Sequence, residues 1–247
     1  MKDNFSSKSA EYKRYRPTYP HEIFEFIKTQ VKDFRKAWDC GTGSGQVAGE
    51  IAKFFKEVEA TDISENQIKN AVEMENITYS IQPAEDTNFK NEEFDLIITA
   101  QAAHWFDFER FYSEVKRCLK PDGILVIMGY GLFTSTTETN KVIAHFYDQI
   151  IGPYWDPERT YLDEQYQTIP FPFEEITTPH FERVYEWDID HLLGYLRTWS
   201  AVKHYERENN EDPVSLIEGE LRETFGKKNR ITFPILFRMG KIGKSDQ

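Results

Sequence analysis

The chain is poor in cysteine, lacks any long apolar run and is short of positive charge. Only Cys40 and Cys118 occur in its 247 residues. That is too few for a disulfide framework, and their spacing matches no metal site, so none is expected. The two could still pair with each other, but a reducing compartment, the cytoplasm, is the simplest home. No stretch approaches the roughly 20 apolar residues that cross a bilayer. The polar start Met1-Lys2-Asp3-Asn4 lacks the apolar segment of a secretory signal. No membrane association is expected. A balance of 30 basic to 42 acidic residues, net −12, repels phosphate backbones, so nucleic acid is not an expected partner either. Internal repeats and low-complexity tracts are missing as well. The partner left is a small-molecule substrate, met by a monomer or a homodimer.

What is present is a regular alternation of strand-like and helix-like segments in the first half, the pattern of a mostly parallel sheet covered on both faces. Val58 to Thr61, Ile77 to Ile81, Phe94 to Thr99 and the apolar run Gly123 to Met128 read as strands. Between them, Val47, Ile51 and Phe55, then Ile68, Ala71 and Val72, recur at helical spacing, and Phe108 to Leu119 is amphipathic until Pro121-Asp122-Gly123 breaks it. After Tyr130 the chain turns to aromatics, prolines and charges, which reads as an insertion. A strand near Val184–Trp187, helices over 190–205 and 213–225, and a last strand over 231–237 complete the pattern.

The most informative segment is Trp38-Asp39-Cys40-Gly41-Thr42-Gly43-Ser44-Gly45-Gln46. Three alternating glycines let the backbone turn sharply off a strand and leave main-chain N–H groups open to a ligand. A dinucleotide fingerprint needs its third glycine where this chain has Gln46, so a nicotinamide-dependent dehydrogenase is the weaker reading. Farther on, Asp62 ends the second strand. A carboxylate there can accept both hydroxyls of a ribose, and Ser64-Glu65-Asn66-Gln67 supplies its own helix cap, leaving Asp62 free for that work. Gln101, just past the fourth strand, falls at the same sheet edge, either as a ligand contact or as a structural cap. Arg16, with Tyr12 and Tyr15 beside it, either covers the cofactor and meets an anionic group or packs as a surface helix.

The shape D-x-G-x-G-x-G resembles motif I of the class I S-adenosylmethionine-dependent methyltransferases, of the methyltransferase type 11 kind. Three further segments are similar to the trans-aconitate methyltransferase-like subgroup: Tyr12 to Pro20 with Phe5-Ser6, Pro83-Ala84-Glu85, and Ala103-His104-Trp105-Phe106-Asp107. The resemblance implies a Rossmann-like α/β fold, a seven-stranded sheet with its last strand antiparallel, and helices on both faces. It implies one domain over residues 1–247. Within it, 1–30 form an N-terminal cover, 31–130 the cofactor-binding core, 131–227 a substrate lid or insertion and 228–247 the last strand and tail. The implied cofactor is S-adenosyl-L-methionine, leaving as S-adenosyl-L-homocysteine. Asp39, Gly41, Thr42 and Gly43 would line its methionine end, Asp62 its ribose and Ile63 its adenine, with Ala84 and Glu85 bordering the adenine amine. Pro83 stands where many relatives carry an acid, which weakens that last contact.

The expected activity is methyl transfer to a small molecule, at a carboxylate or hydroxyl oxygen. His104 is either a general base, since imidazole titrates near neutrality, or a structural element. Trp105, Tyr130 and Trp155 are expected around the substrate, though aromatics of this kind also build satellite cores. Arg159 and Arg197 could offer guanidinium forks to an acidic substrate or could simply pair with nearby acids. A cofactor-binding protein without turnover is the non-enzymatic alternative.

Overall fold

The computed structural model describes residues 14–243. Its sheet comprises β1 (Lys36–Cys40), β2 (Glu57–Asp62), β3 (Ile77–Ile81), β4 (Phe94–Ala100), β5 (Leu119–Tyr130), β6 (Glu174–Glu175), β7 (Phe181–Asp188) and β8 (Lys228–Lys241). The order is β3-β2-β1-β4-β5-β8-β6, with β7 also paired to β8. The first five strands are parallel, and β8 runs antiparallel to β5. Both β6 and β7 lie on the outer side of β8, on different stretches of it. Seven full strands are therefore present, as the resemblance implied, with the two-residue β6 added.

Alternation across the strands explains the two cores. Ala37, Val58, Ala60, Leu96, Ile98, Val126 and Met128 face one layer, while Trp38, Cys40, Ile97, Leu125 and Ile127 face the other. A strand with both faces covered is apolar over most of its buried length, which is why residues 96–98 of β4 and 124–128 of β5 are apolar without interruption. Phe94 sides with Trp38 and not with Leu96, and a register shift lies between Phe94 and Leu96. An extra residue in a bulge reverses the alternation beyond it.

The helices are α1 (His21–Gln30), α2 (Gln46–Ile51), α3 (Glu65–Lys69), α4 (Phe108–Cys118), α5 (Thr137–His145), α6 (Thr160–Asp163), α7 (Ile189–Leu196), α8 (Ser200–Asn209) and α9 (Glu218–Phe225). Asp107 caps α4 by accepting from the Arg110 N–H, and Ser64 caps α3 by accepting from Gln67. The insertion after β5 is built into the core: Phe146, Ile151 and Tyr166 are completely buried.

Two sequence expectations about the helices are corrected here. The helix marked by Ile68, Ala71 and Val72 stops at Lys69. Val72 is taken up elsewhere, its N–H donating to Ser44 O and its carbonyl accepting from the Tyr79 hydroxyl. The single helix over 190–205 is two, α7 and α8, broken at 197–199. Cys40 and Cys118 are both buried and unbridged.

Sheet order sets the site. At β1 the chain connects onward to β2 on one side and, after β3, to β4 on the other. This reversal opens a crevice outside the strands' carboxyl ends. Asp39, Asp62, Gln101 and Tyr130 sit at that edge.

Candidate functional site

Gly41, Gly43 and Gly45 all hold positive φ, at 70°, 56° and 73°. This left-handed region costs a side-chain-bearing residue roughly 1–2 kcal/mol. The bend is fastened from below: Gly41 and Thr42 N–H both donate to Thr61 O at 2.9 Å. A Cβ on Gly43 would meet no atom within 4 Å, so this glycine faces open space and not packed protein. Gly45 then opens α2.

Asp39 lies under the bend with 1 % of its surface exposed. Its Oδ2 accepts from Thr42 Oγ1 at 2.6 Å and from Ala48 N–H at 2.9 Å. Its Oδ1 is buried with no hydrogen-bond partner among the described residues. Burial, reinforced by the charge of nearby Asp62, pushes its carboxyl up to about 7. Asp62 turns toward the bend: Oδ2 accepts from Gly43 N–H and Oδ1 from Ser64 N–H, each at 2.8 Å. A carboxylate oxygen can accept more than one donor.

These residues line a cleft together with Arg16, Tyr19, Ile63, Gln101, Trp105 and Tyr130. Gln101 has φ 55° at the end of β4, an uncommon conformation for a non-glycine. Its Oε1 accepts from Tyr130 N–H at 2.8 Å, holding the end of β5 against β4. Arg16 donates to the Tyr130 hydroxyl at 3.0 Å and to Thr198 O at 2.9 Å, with its guanidinium 5.6 Å from the Tyr195 ring centre. Cap and cleft wall are thus one role for Gln101, and Arg16 ties the segment before α1 to the sheet edge.

A second, smaller chamber shares Arg16, Gln101 and Trp105 with the cleft and adds His104, Asp156 and Arg159. Trp155 and Trp199 form further walls.

Comparison with known proteins follows the same lines. A family model described as a methyltransferase domain matches residues 38–127, from β1 to β5. A Dictyostelium discoideum protein, itself assigned only as a candidate methyltransferase, is 36 % identical over 234 residues, 93 % of this chain and 88 % of that protein. The solved structure of a candidate type II methyltransferase from Anaeromyxobacter dehalogenans superposes with a TM-score of 0.84 at 38 % identity, covering 92 % of this chain and 98 % of that one. The chain belongs to the class I S-adenosylmethionine-dependent methyltransferases. A human mitochondrial arginine-hydroxylase, NDUFAF5, is 35 % identical over 127 residues, 44 % of this chain and 36 % of that protein.

In this methyltransferase, the structure brings Asp39, Gly41, Thr42, Gly43, Asp62, Ile63, Gln101, Arg16, Trp105 and Tyr130 to one cleft. Trp155, Arg159 and His104 meet in the adjoining chamber. Ala84 and Glu85 are not brought to the cleft. Ala84 packs among Trp38, Cys40 and Phe106, and Glu85 Oε1 accepts from Asp107 N–H at the start of α4, beside a separate hollow. Arg197 is also elsewhere: its Nε meets Asp212 at 2.8 Å and its Nη2 meets Glu218 at 3.4 Å, away from the chamber's walls. Within the insertion, Tyr154 packs on Tyr205 and Tyr161 on Phe108. Tyr12 lies outside the described residues. The sequence reading missed Tyr19, Asp156 and Trp199. Trp199 alone carried a signal, as a large aromatic adjoining the break between α7 and α8.

His104 is not suited to be a general base. It is 5 % exposed, and Nδ1 lies 3.0 Å from the Tyr166 hydroxyl. Tyr166 is fully buried and its hydroxyl has no other hydrogen-bond partner among the described residues, so the arrangement that satisfies its phenol proton has it donating to Nδ1 and the imidazole proton on Nε2. Burial, with Arg159 and Arg16 nearby, pulls the imidazole down to about 3 from an ordinary 6.5. The neutral ring offers a donor, not a base. Because the native state binds fewer protons here than the unfolded chain, this group adds stability above pH 6.5 and withdraws it as pH falls from 6.5 toward 3. Urea unfolding of His104→Gln should therefore lose less stability than wild type between about pH 6.5 and 4; identical acid slopes contradict the assignment.

Among the described residues no helix is long and apolar enough to cross a membrane, and no group of three or more His, Cys, Asp or Glu is placed to hold a metal ion.

Proposed function

We propose that the enzyme transfers the methyl group of S-adenosylmethionine to an oxygen, a carboxylate or hydroxyl, of a small organic molecule in the cytoplasm. The observation that carries the cofactor's placement is Asp39 Oδ1, a buried acceptor without a partner among the described residues, beside the open space over Gly43. A buried acceptor normally finds a donor. The α-ammonium of the cofactor's methionine end is a donor of complementary charge, and the exposed N–H groups of the bend suit its carboxylate.

The remaining assignments follow the walls of the cleft. Asp62 would take the ribose diol, Ile63 would pack on adenine, and Arg16 with Tyr130 would close the outer side. The bound cofactor supplies an electrophilic methyl on a sulfonium. The chain's own part is alignment and exclusion of water, which the aromatic rings of Trp105 and the chamber beyond it provide. An ionised carboxylate acceptor needs no base, in keeping with the donor character of His104. The resemblance of residues 83–85 and 103–107 to trans-aconitate methyltransferase-like enzymes supports a small organic acceptor.

Asp62→Ala should weaken S-adenosylhomocysteine binding by about 1.5–3 kcal/mol, the range of charge-assisted hydrogen bonds. Calorimetry that finds unchanged affinity removes Asp62 from the site. The partial relative named as an arginine-hydroxylase supplies a second reading, hydroxylation in place of methyl transfer. Labelled methyl from the cofactor separates the readings, since only methyl transfer moves the label into product.

A further inference from the structure

We infer that the chamber beside the cleft recognises a small organic acid that also carries a hydroxyl or ammonium donor, with Arg159 holding the acid and Asp156 the donor. This rests on the proposed cofactor site, because the chamber opens from that cleft at Arg16, Gln101 and Trp105.

Arg159 is held by one edge only. Its Nε donates to the Tyr147 hydroxyl at 2.7 Å and to Asp163 Oδ1 at 3.2 Å. The guanidinium carbon lies 4.7 Å from the Trp155 ring centre and 5.4 Å from that of Tyr147. Its side chain is 16 % exposed, and neither terminal nitrogen has a hydrogen bond or ion pair among the described residues. A guanidinium fixed at Nε and stacked on aromatic rings presents its terminal nitrogens as a preorganised fork for a carboxylate.

Asp156 is the complementary feature. It is 9 % exposed, lines the same chamber and has a buried Oδ2 without a hydrogen-bond partner among the described residues. The nearest cation-forming group is His204, whose Nδ1 is 3.9 Å away and donates instead to Tyr154 O at 3.0 Å. Although Arg159 N–H donates to Asp156 O through the backbone, the two side chains form no ion pair. A partly buried guanidinium whose terminal nitrogens are unmatched, although Asp163 meets its Nε, and a buried carboxylate that does not pair with it across the shared chamber are satisfied together by a ligand presenting both an anion and a donor. A plain acid would leave Asp156 unmet and repelled. A plain alcohol or amine would leave the terminal nitrogens of Arg159 unmet. The three tryptophans Trp105, Trp155 and Trp199 favour a flat or compact carbon frame between those ends.

The test is calorimetric binding and label transfer with S-adenosylhomocysteine or labelled S-adenosylmethionine present. The panel holds three classes on matched frames: acids with a hydroxyl or amino group (salicylate, anthranilate, mandelate, phenylalanine), acids without one (benzoate, phenylacetate), and donors without an acid (phenol, aniline, benzyl alcohol). At least one member of the first class should bind about 10-fold or more tighter than its matched single-group analogues, as expected for one further charge-assisted contact. Asp156→Asn should erase its advantage over the plain acid, and Arg159→Lys or Arg159→Gln its advantage over the plain donor. Each variant must keep wild-type S-adenosylhomocysteine affinity, which certifies the fold. Equal binding across classes, preference for a single-group class, or no uptake of any first-class compound at millimolar concentration overturns the inference. Failure of S-adenosylhomocysteine to bind at all would instead fall on the proposed cofactor site.

Discussion

Replacing Asp39 with asparagine should weaken S-adenosylhomocysteine binding by about 10- to 100-fold, the equivalent of losing one charge-assisted hydrogen bond, while flattening the pH dependence of the ligand-free protein. The asparagine carbonyl can keep the bonds from Thr42 and Ala48. Its amide group would then stand where Oδ1 stands and present hydrogens to an ammonium. The stability effect follows from the carboxyl's rise from 3.8 to about 7. Between those values the native state holds a proton that the unfolded chain has released, so stability falls as pH rises through that window and is lowest above it. An asparagine side chain has nothing to titrate, so the substitution removes that slope. Urea unfolding at about pH 4.5 and pH 8 measures the difference; equal slopes in wild type and D39N would show that Asp39 does not carry it. A cationic ligand favours the ionised carboxylate, so binding near pH 6 should also release a proton, visible as a heat that changes with buffer ionisation enthalpy.

Gly43→Val should abolish cofactor binding while costing the fold little. The backbone there has φ 56°, so a β-branched residue adds strain of about 1–2 kcal/mol. No protein atom lies within 4 Å of the new Cβ, so nothing in the core is displaced. The side chain projects into the space assigned to the ligand. Loss of roughly 100-fold or more in affinity, with a thermal midpoint only a few degrees lower, is the expected pair of results. Near-normal binding by a folded variant would place the cofactor elsewhere. Gly45→Val would be a poor substitute, since a Cβ there would crowd the Tyr79 hydroxyl oxygen, mixing a folding defect with a binding one.

What the sequence makes legible is what adjacent residues determine. The glycine bend, Asp39 beneath it and Asp62 at the neighbouring strand end are read from short segments, and parallel strand order brings them together. Strands β4 and β5 announce themselves because burial on both faces leaves no room for polar alternation. Long-range pairing is what escapes. His104 looks like a base until Tyr166, 62 positions away, is found on its Nδ1. Arg197 looks like an acid-binding fork until Asp212 and Glu218 occupy it. The early stop of α3 has a similar cause, since Val72 is needed to brace Ser44 in the glycine bend. Asp156 gave no signal, for its meaning lies in lacking a partner, which only three-dimensional packing reveals.

A crystal structure of the protein with S-adenosylhomocysteine tests the central claim most directly. The account predicts the amino group within hydrogen-bond distance of Asp39 Oδ1 or the bend beside it, and both ribose hydroxyls on the Asp62 carboxylate. A nucleoside seated in another cavity, or turned so that Asp62 meets no hydroxyl, would contradict it.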